Sequence, residues 1–215
     1  VIDYQFDFAG EFTSNGLALV GKGMGQSCHY GYADTTGKTI INCIYNFAEN
    51  FSTIGLAKVF KSENDSVGFW GFVNSEGKQV IPCIYSDAGS FASNGLAVVS
   101  KNEKSNKNSG FISPDGKVVL DFIYAGAGDF SEFGLAKVFQ MKDTAGGWGY
   151  IDKTGKLVIP CNFNRVEDFS KIGLAKVYTW STKTGGKWGY INQTGKLVID
   201  YKYDDAGDFS DNGLA

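Results

Sequence analysis

The sequence is poor in the residues that several functional classes require. It has four cysteines, three prolines and one histidine among 215 residues. Four cysteines are too few for a fold of this length that is held together by disulfides. No apolar run approaches the ~20 residues that a membrane-spanning helix needs. The composition therefore argues against a disulfide scaffold and against insertion into a membrane.

The chain also lacks an excess of charge of either sign. It carries 20 basic and 23 acidic residues, for a net charge of −3, and no basic stripe is visible. Binding to nucleic acid rests mainly on lysine and arginine at phosphates, so we expect no nucleic-acid partner. Apolar residues make up 43% of the chain, which is a globular rather than a disordered composition.

Glycine and aromatic residues are abundant instead, with 29 glycines, 17 phenylalanines, 11 tyrosines and 4 tryptophans. Interior glycine disfavours helices, so long helices are not expected. The glycines belong to a repeat of 39 or 40 residues. The tripeptide Gly-Leu-Ala begins at Gly16, Gly55, Gly95, Gly134, Gly173 and Gly213. A glycine followed by an aromatic residue recurs at Gly31-Tyr32, Gly71-Phe72, Gly110-Phe111, Gly149-Tyr150 and Gly189-Tyr190.

The sequence pattern of each repeat predicts about three short strands that form antiparallel hairpins. A strand such as 148–152 leads into a turn with Asp, Asn or Ser at its first position and Gly at its fourth, as in Asp152 to Gly155. This spacing is typical of a type I turn followed by a left-handed residue. An apolar strand follows, and then an aromatic-x-x-Ala/Val-x-x-Phe ladder such as Tyr45/Ala48/Phe51, which we expect to form a compact loop or a short helical turn.

One repeat cannot bury both of its faces, so the units must stack. We predict a single all-β repeat domain over residues 1–215, an open, twisted, solenoid-like array of antiparallel units. The alternative is a five-bladed β-propeller. The proposed units are 16–54, 55–94, 95–133, 134–172 and 173–212, with partial units at 1–15 and 213–215.

The combined pattern resembles the bacterial WG-repeat family, also called KWG. The segments Lys187-Trp188-Gly189-Tyr190-Ile191 and Gly147-Trp148-Gly149-Tyr150-Ile151-Asp152 match its motif best, whereas Tyr30 and Ser109 stand where Trp is usual. The resemblance implies an interaction or scaffold module from a bacterium, without an implied activity. Because the chain starts at Val1 inside the pattern, we expect it to be part of a longer protein. As a location, a bacterial cell surface or periplasm is favoured over the cytoplasm.

All length variation falls in one segment of the repeat, approximately residues 21–29, 61–69, 101–108, 140–147 and 179–187. Insertions collect in exposed loops, so these segments should form surface hairpins that contact a partner protein. Trp180 lies out of register with the other tryptophans, in a polar hairpin, and is the best single candidate. The binding residues that we predict are Trp180, Met141, Lys183 and Lys104.

Trp70, Trp148 and Trp188 share one repeat position. They could pack between units or form an exposed aromatic ladder, and a ladder would favour the alternative function of binding a glycan or cell-wall polymer. Cys43, Cys83 and Cys161 also share a position, which is aromatic in other units, so we expect a buried apolar slot without disulfides.

No residue pattern points to catalysis. Gly37-Lys38-Thr39 matches the end of the phosphate-binding loop motif Gly-x-x-x-x-Gly-Lys-Ser/Thr, but Tyr32 stands where that motif needs its first glycine. Cys28 and His29 are adjacent, so on a strand they would point to opposite faces. Glu11, Asp129, Asp168 and Asp208 share a position but do not form a calcium-binding motif. We therefore predict a non-enzymatic module without cofactor or metal.

Overall fold

The computed structural model describes residues 5–62, 67–103, 106–142, 145–182, 185–210 and 212–215, and this part of the chain is built from β-strands. Its strands form five four-stranded antiparallel sheets, numbered here in chain order, in which sequential strands are neighbours. Sheet 1 contains β1 (Phe8–Phe12), β2 (Leu17–Lys22), β3 (His29–Asp34) and β4 (Thr39–Tyr45). Sheet 2 contains β5 (Phe47–Ala48), β6 (Leu56–Ser62), β7 (Gly68–Asn74) and β8 (Gln79–Tyr85). Sheet 3 contains β9 (Asp87–Ala88), β10 (Ala97–Glu103), β11 (Asn106–Ile112) and β12 (Val118–Tyr124). Sheet 4 contains β13 (Gly126–Phe130), β14 (Ala136–Lys142), β15 (Ala145–Ile151) and β16 (Leu157–Phe163). Sheet 5 contains β17 (Arg165–Val166), β18 (Leu174–Ser181), β19 (Gly185–Asn192) and β20 (Leu197–Tyr203).

This architecture confirms the prediction of an all-β tandem array of antiparallel units. The five sheets are separate in the described residues, and the expected open array fits that separation. A short 3₁₀ helix, Gly25–Ser27, lies between β2 and β3. No helix in the described ranges is long and apolar enough to cross a membrane.

The chain divides into two compact units, residues 1–102 with 112–118 and residues 103–111 with 119–215. The division runs within sheet 3. The first unit holds sheets 1 and 2, and the second holds sheets 4 and 5.

Each repeat contains the three predicted strands and one that the sequence did not indicate. The apolar ladder begins as a short strand that pairs with the Gly-Leu-Ala strand, as Phe47 and Ala48 pair with Phe60 and Val59. The ladder then turns at Ser52, whose carbonyl accepts a 2.9 Å hydrogen bond from the Gly55 N–H. Gly55 has φ +79°, which a residue with a side chain rarely adopts. The ladder thus contains the first strand of a hairpin, Phe47–Ala48 in this repeat, and no helical turn.

The second turn of each repeat follows the predicted chemistry. In the turn between β15 and β16, Asp152 Oδ1 accepts hydrogen bonds from the backbone N–H groups of Thr154 at 2.8 Å and Lys156 at 3.1 Å. Hydrogen bonds from the Thr154 hydroxyl and these amides lower the pKa of Asp152. Asn192 accepts the equivalent bonds in the next repeat, so the turn needs an acceptor oxygen but not a charge.

Successive repeats are joined by an aromatic pair. The aromatic residue after each marker glycine packs against the ladder phenylalanine of the next repeat, with ring centroids 4.7–5.0 Å apart: Tyr32–Phe51, Phe72–Phe91, Phe111–Phe130, Tyr150–Phe169 and Tyr190–Phe209. Where the residue is tyrosine, its hydroxyl also donates to a backbone carbonyl of that repeat, as from Tyr150 to Glu167 O at 2.5 Å. Burial raises the pKa of the Tyr150 hydroxyl, which therefore stays protonated and a donor.

The core between sheets combines opposite faces of neighbouring sheets. Leu17, Tyr32 and Ile41 of sheet 1 pack in one cluster with Ala57 and Val59 of sheet 2. Sheets 4 and 5 form the equivalent cluster in the second unit. In both clusters, one face of a sheet is thus buried against the next sheet along the chain.

Candidate functional site: the variable hairpins

The segments of variable length connect the two central strands of each sheet. In sheet 5 these strands extend into the variable segment, where Trp180 pairs with Gly186 and Ser181 with Gly185. In sheet 4, Met141 pairs with Gly146 in the same way. Trp180 and Met141 therefore lie on paired strands.

Two of the predicted binding residues lie at corresponding places on these hairpins. The side chain of Trp180 is 57% exposed and that of Met141 is 60% exposed. An exposed large apolar side chain gains little for folding, because burial from water is what stabilises such groups. Lys104 and Lys183 lie outside the described residues.

A hydrogen bond anchors the hairpin at this point in three sheets. The side chain of the residue before the first strand of the sheet accepts a bond from the hairpin backbone. The backbone N–H of Trp180 donates to Asn164 Oδ1 at 2.8 Å, and the backbone N–H of Ser62 donates to Asn46 Oδ1 at 2.8 Å. In sheet 1 the Gly23 N–H donates to Asp7 Oδ2 at 2.8 Å. These bonds fix the backbone of each variable hairpin to the residue that precedes the first strand of the same sheet.

The structure adds two exposed tip residues that the sequence analysis did not single out. Met24 is 82% exposed in sheet 1, and Val67 is 62% exposed in sheet 2. Both lie within the variable segments, so their position was available as a signal. Apolar side chains thus lie at the hairpin ends of sheets 1, 2, 4 and 5.

The three WG tryptophans are half-buried and do not form a free ladder. Each packs against the aromatic residue opposite it on the neighbouring strand: Phe60–Trp70 at 5.1 Å, Phe139–Trp148 at 5.4 Å and Tyr178–Trp188 at 5.1 Å between ring centroids. Lysine ammonium groups cover two of them, with Lys58 Nζ 4.7 Å from the Trp70 ring and Lys176 Nζ 4.9 Å from the Trp188 ring. The contacts lie within one sheet, so these tryptophans support the base of the hairpin.

A second surface consists of four rings in sheets 1 and 2, here called the aromatic row: Phe8, Tyr30, Phe47 and Trp70. Consecutive ring centroids are 5.9, 6.3 and 5.6 Å apart. Phe8 is 44% exposed and Phe47 is 45% exposed. Other repeats have Asp87, Gly126, Arg165 or Asp205 at the position of these two phenylalanines. The fold therefore does not require an aromatic residue there.

The candidate catalytic residues are not assembled into a site. Cys28 is buried and is a free thiol, as are the half-buried Cys43, Cys83 and Cys161. Burial raises the pKa of the Cys161 thiol, which makes it a poor nucleophile. Of the acidic residues that share one repeat position, Asp168 forms an ion pair with Lys137 at 3.0 Å and Asp208 with Lys176 at 3.4 Å. The described residues contain no group of three or more His, Cys, Asp or Glu side chains placed to hold a metal ion.

A groove of about 300 Å³ lies on sheet 5, lined among others by Tyr190, Ile199, Tyr203 and Phe209. Asp205 is the one acidic side chain among its described lining residues. This side chain, whose Oδ1 accepts a hydrogen bond from the Ala206 N–H, does not by itself provide the pair of acidic side chains that a glycosidase uses.

The marker glycines explain why the motif has the form Trp-Gly-aromatic. A Cβ atom on Gly71 would lie 2.6 Å from Ile81 O and 2.7 Å from Cys83 N, both on the backbone of the adjacent strand β8.

A family model described as WG containing repeat matches residues 1–23, 30–64, 70–104, 110–140, 148–178 and 188–215. The chain belongs to the WG-repeat family. A search of curated proteins finds no match.

Solved structures resemble this WG-repeat chain in fold. The crystal structure of a eukaryotic initiation factor matches with a TM-score of 0.59 at 8% identity, over 89% of this chain and 54% of that one. The apo form of prolyl oligopeptidase B from Galerina marginata matches with a TM-score of 0.55 at 10% identity, over 90% of this chain and 34% of that one. The chain thus spans about half the length of the initiation factor structure. Such neighbours are propeller-like folds, and identities this low show the fold alone.

Proposed function

We propose that this WG-repeat protein is a non-enzymatic binding scaffold that contacts a partner protein through the ends of its variable hairpins. The observation that carries the proposal is the repeated exposure of large apolar side chains there: Met24, Val67, Met141 and Trp180. A partner that covers such side chains removes them from water, so their recurrence at the ends of four hairpins favours a contact surface.

The contrast between the constant packing residues of the repeat and its variable hairpin ends supports this function. The marker glycines, the turns and the aromatic pairs all serve packing, and they recur with constant spacing. The hairpin ends vary in length and in sequence, yet Asn164 and Asn46 anchor their backbones. A pre-organised backbone lowers the entropic cost of ordering a binding surface. Rigid repeats with variable ends suit the recognition of a specific protein surface.

Replacing Trp180 with alanine should weaken partner binding while leaving the fold intact. Tryptophan is enriched among the residues that dominate binding energy, so we expect at least a tenfold loss, or about 1.4 kcal/mol. The unfolding free energy should change by less than about 0.5 kcal/mol, because the side chain is mostly exposed. Immobilised wild-type and variant proteins, each exposed to an extract of the organism of origin, would show the loss by quantitative mass spectrometry.

Val198→Ala is the matched control, because Val198 is 53% exposed but lies on β20 outside the hairpins. It should retain the same captured proteins as the wild type. Equal capture by Trp180→Ala and the wild type, or a large loss of stability in Trp180→Ala, would count against the hairpin as the contact.

A second candidate function, glycan binding, is favoured by the aromatic row. The exposed rings of Phe8 and Phe47 flank Tyr30 and offer apolar surface to a sugar chain. Phe47→Ala should then lower the affinity for cell-wall fragments by at least about tenfold, as measured by tryptophan fluorescence, since Trp70 lies 5.6 Å from Phe47. Phe12→Ala, which removes a ring of similar exposure outside the row, is the control. Fluorescence unchanged by any fragment would reject this function.

A further inference from the structure

The chain has two methionines, and both lie in variable hairpins. Met24 immediately precedes the short 3₁₀ helix between β2 and β3, and Met141 is the last residue but one of β14. Both side chains are exposed. Methionine is among the residues most often buried, because removal from water is what makes such a side chain stabilise a fold. These two side chains gain little of that stabilisation, so their exposure calls for another role.

The thioether of Met141 lies on the surface of its hairpin. Met141 pairs with Gly146 across the hairpin. A Cβ atom added to Gly146 would lie 2.9 Å from Met141 Sδ and would also clash with the ring of Phe139, so the sulfur and the ring both lie over the glycine. In sheet 5 the corresponding pair is Trp180 with Gly186. Met141 thus occupies in sheet 4 the place that Trp180 occupies in sheet 5.

The sulfur atoms of the cysteines are less open to an oxidant than the two thioethers. Cys28 is buried, and Cys43, Cys83 and Cys161 are half-buried. Burial raises the pKa of these three half-buried thiols. The thiolate is the form that peroxides oxidise, so little of each reactive form is present at neutral pH. A thioether carries no proton and needs no ionisation before it reacts.

We propose that Met24 and Met141 are oxidation sites through which a peroxide weakens partner binding at the variable hairpins, an inference that rests on the proposed function. The sulfur attacks one oxygen of hydrogen peroxide, the O–O bond breaks, and that oxygen remains on the sulfur as a sulfoxide. The second oxygen takes up the proton of the first and leaves as water. The sulfur is oxidised by two electrons, and the peroxide is reduced by two.

Oxidation changes binding rather than folding, because both side chains are already in water in the free protein. A sulfoxide oxygen is a hydrogen-bond acceptor, and burying a polar group without a hydrogen-bond partner is unfavourable. Water solvates this oxygen in the free protein, whereas a partner that fits an apolar side chain offers it no donor. We therefore expect partner affinity to fall at least about tenfold, with the melting temperature close to that of the untreated protein.

Treatment of the purified chain with hydrogen peroxide at neutral pH tests the proposal. Peptide mass spectrometry should show sulfoxide at Met24 and Met141 before any cysteine is oxidised. The binding probe is the set of proteins that the wild type captures and Trp180→Ala loses. Capture of this set should fall at least about tenfold after oxidation. Methionine sulfoxide reductases should restore it, and dithiothreitol alone, which reduces disulfides, should not.

The control is the double variant Met24→Leu/Met141→Leu, which keeps apolar side chains of similar volume and removes both thioethers. It should capture the same proteins as the wild type, before and after peroxide. Three results would overturn the proposal: cysteine oxidation that precedes sulfoxide formation, wild-type capture that is unchanged once both methionines are oxidised, and equal losses of capture in the wild type and the double variant.

The same experiment separates this proposal from the function on which it rests. If Trp180→Ala captures the same proteins as the wild type, the proposed function fails and the oxidation switch fails with it. If Trp180→Ala loses partners but oxidation of both methionines does not, the hairpins remain the contact and only the oxidation switch is wrong.

Discussion

Alanine in place of Gly71 should lower the unfolding free energy by about 3 kcal/mol, at the upper end of the usual cost of overpacking. The added Cβ would lie 2.6 Å from Ile81 O, 2.7 Å from Cys83 N and 2.8 Å from Pro82 C. All three atoms belong to the backbone of β8, which cannot move away as a flexible side chain can. The bulge between β7 and β8 brings this backbone over the glycine, so relief requires the two strands to separate.

The matched control is Gly10→Ala, in β1 of sheet 1. A Cβ on Gly10 meets nothing closer than Leu19 O at 3.5 Å, an ordinary contact. Its unfolding free energy should change by less than about 0.5 kcal/mol. Urea denaturation, followed by tryptophan fluorescence, measures both variants. A Gly71→Ala protein as stable as Gly10→Ala would show that the motif glycine is not set by the approach of β8.

Phe169→Ala should cost about 4 kcal/mol, the range typical of a truncated core phenylalanine. Phe169 is only 8% exposed, and its ring centroid lies 4.8 Å from that of Tyr150 and 6.4 Å from that of Phe133. Truncation would remove the aromatic pair between sheets 4 and 5 and leave a cavity in their shared core. The loss should appear as a lowered midpoint in denaturant at nearly unchanged slope.

Phe12 provides the control for this variant within the same molecule. It occupies the same position of the ladder in the first repeat, but its side chain is 47% exposed. Phe12→Ala should therefore cost less than about 1 kcal/mol. Similar losses for Phe12→Ala and Phe169→Ala would mean that the ladder position matters for a reason other than the pair between sheets.

The sequence predicted the strands of the repeat well because their signals are local and repeated. The turn from Asp152 to Gly155 follows from two residues at fixed spacing, and so does the strand on either side. The first strand of each sheet was missed because it is short: it has two residues in sheets 2, 3 and 5, such as Phe47 and Ala48, and five in sheets 1 and 4. The turn that ends it was nevertheless available: Ser52 and Gly55 repeat the same polar-x-x-Gly spacing.

The candidate site could be predicted only in part. Trp180 was found because it lies out of register with the other tryptophans, and Met141 lies at the equivalent position of the variable segment; both are exposed. The aromatic row could not be found in this way. Its rings come from two sheets, and Tyr30 meets Phe47 only because one sheet packs on the next. The sequence also suggested an exposed tryptophan ladder as one possibility, but Lys58 and Phe60 cover Trp70.

We propose that the residues that recur in every repeat stabilise the fold, whereas the variable hairpins bind the partner. The most direct test replaces residues 179–187 with residues 140–147 and measures, on the same protein, the melting temperature and the captured partners. We predict a melting temperature within about 3 °C of the wild type, equivalent to less than about 1 kcal/mol in a chain of this size, together with loss of the partners that depend on Trp180. A large fall in melting temperature with capture unchanged would contradict the claim.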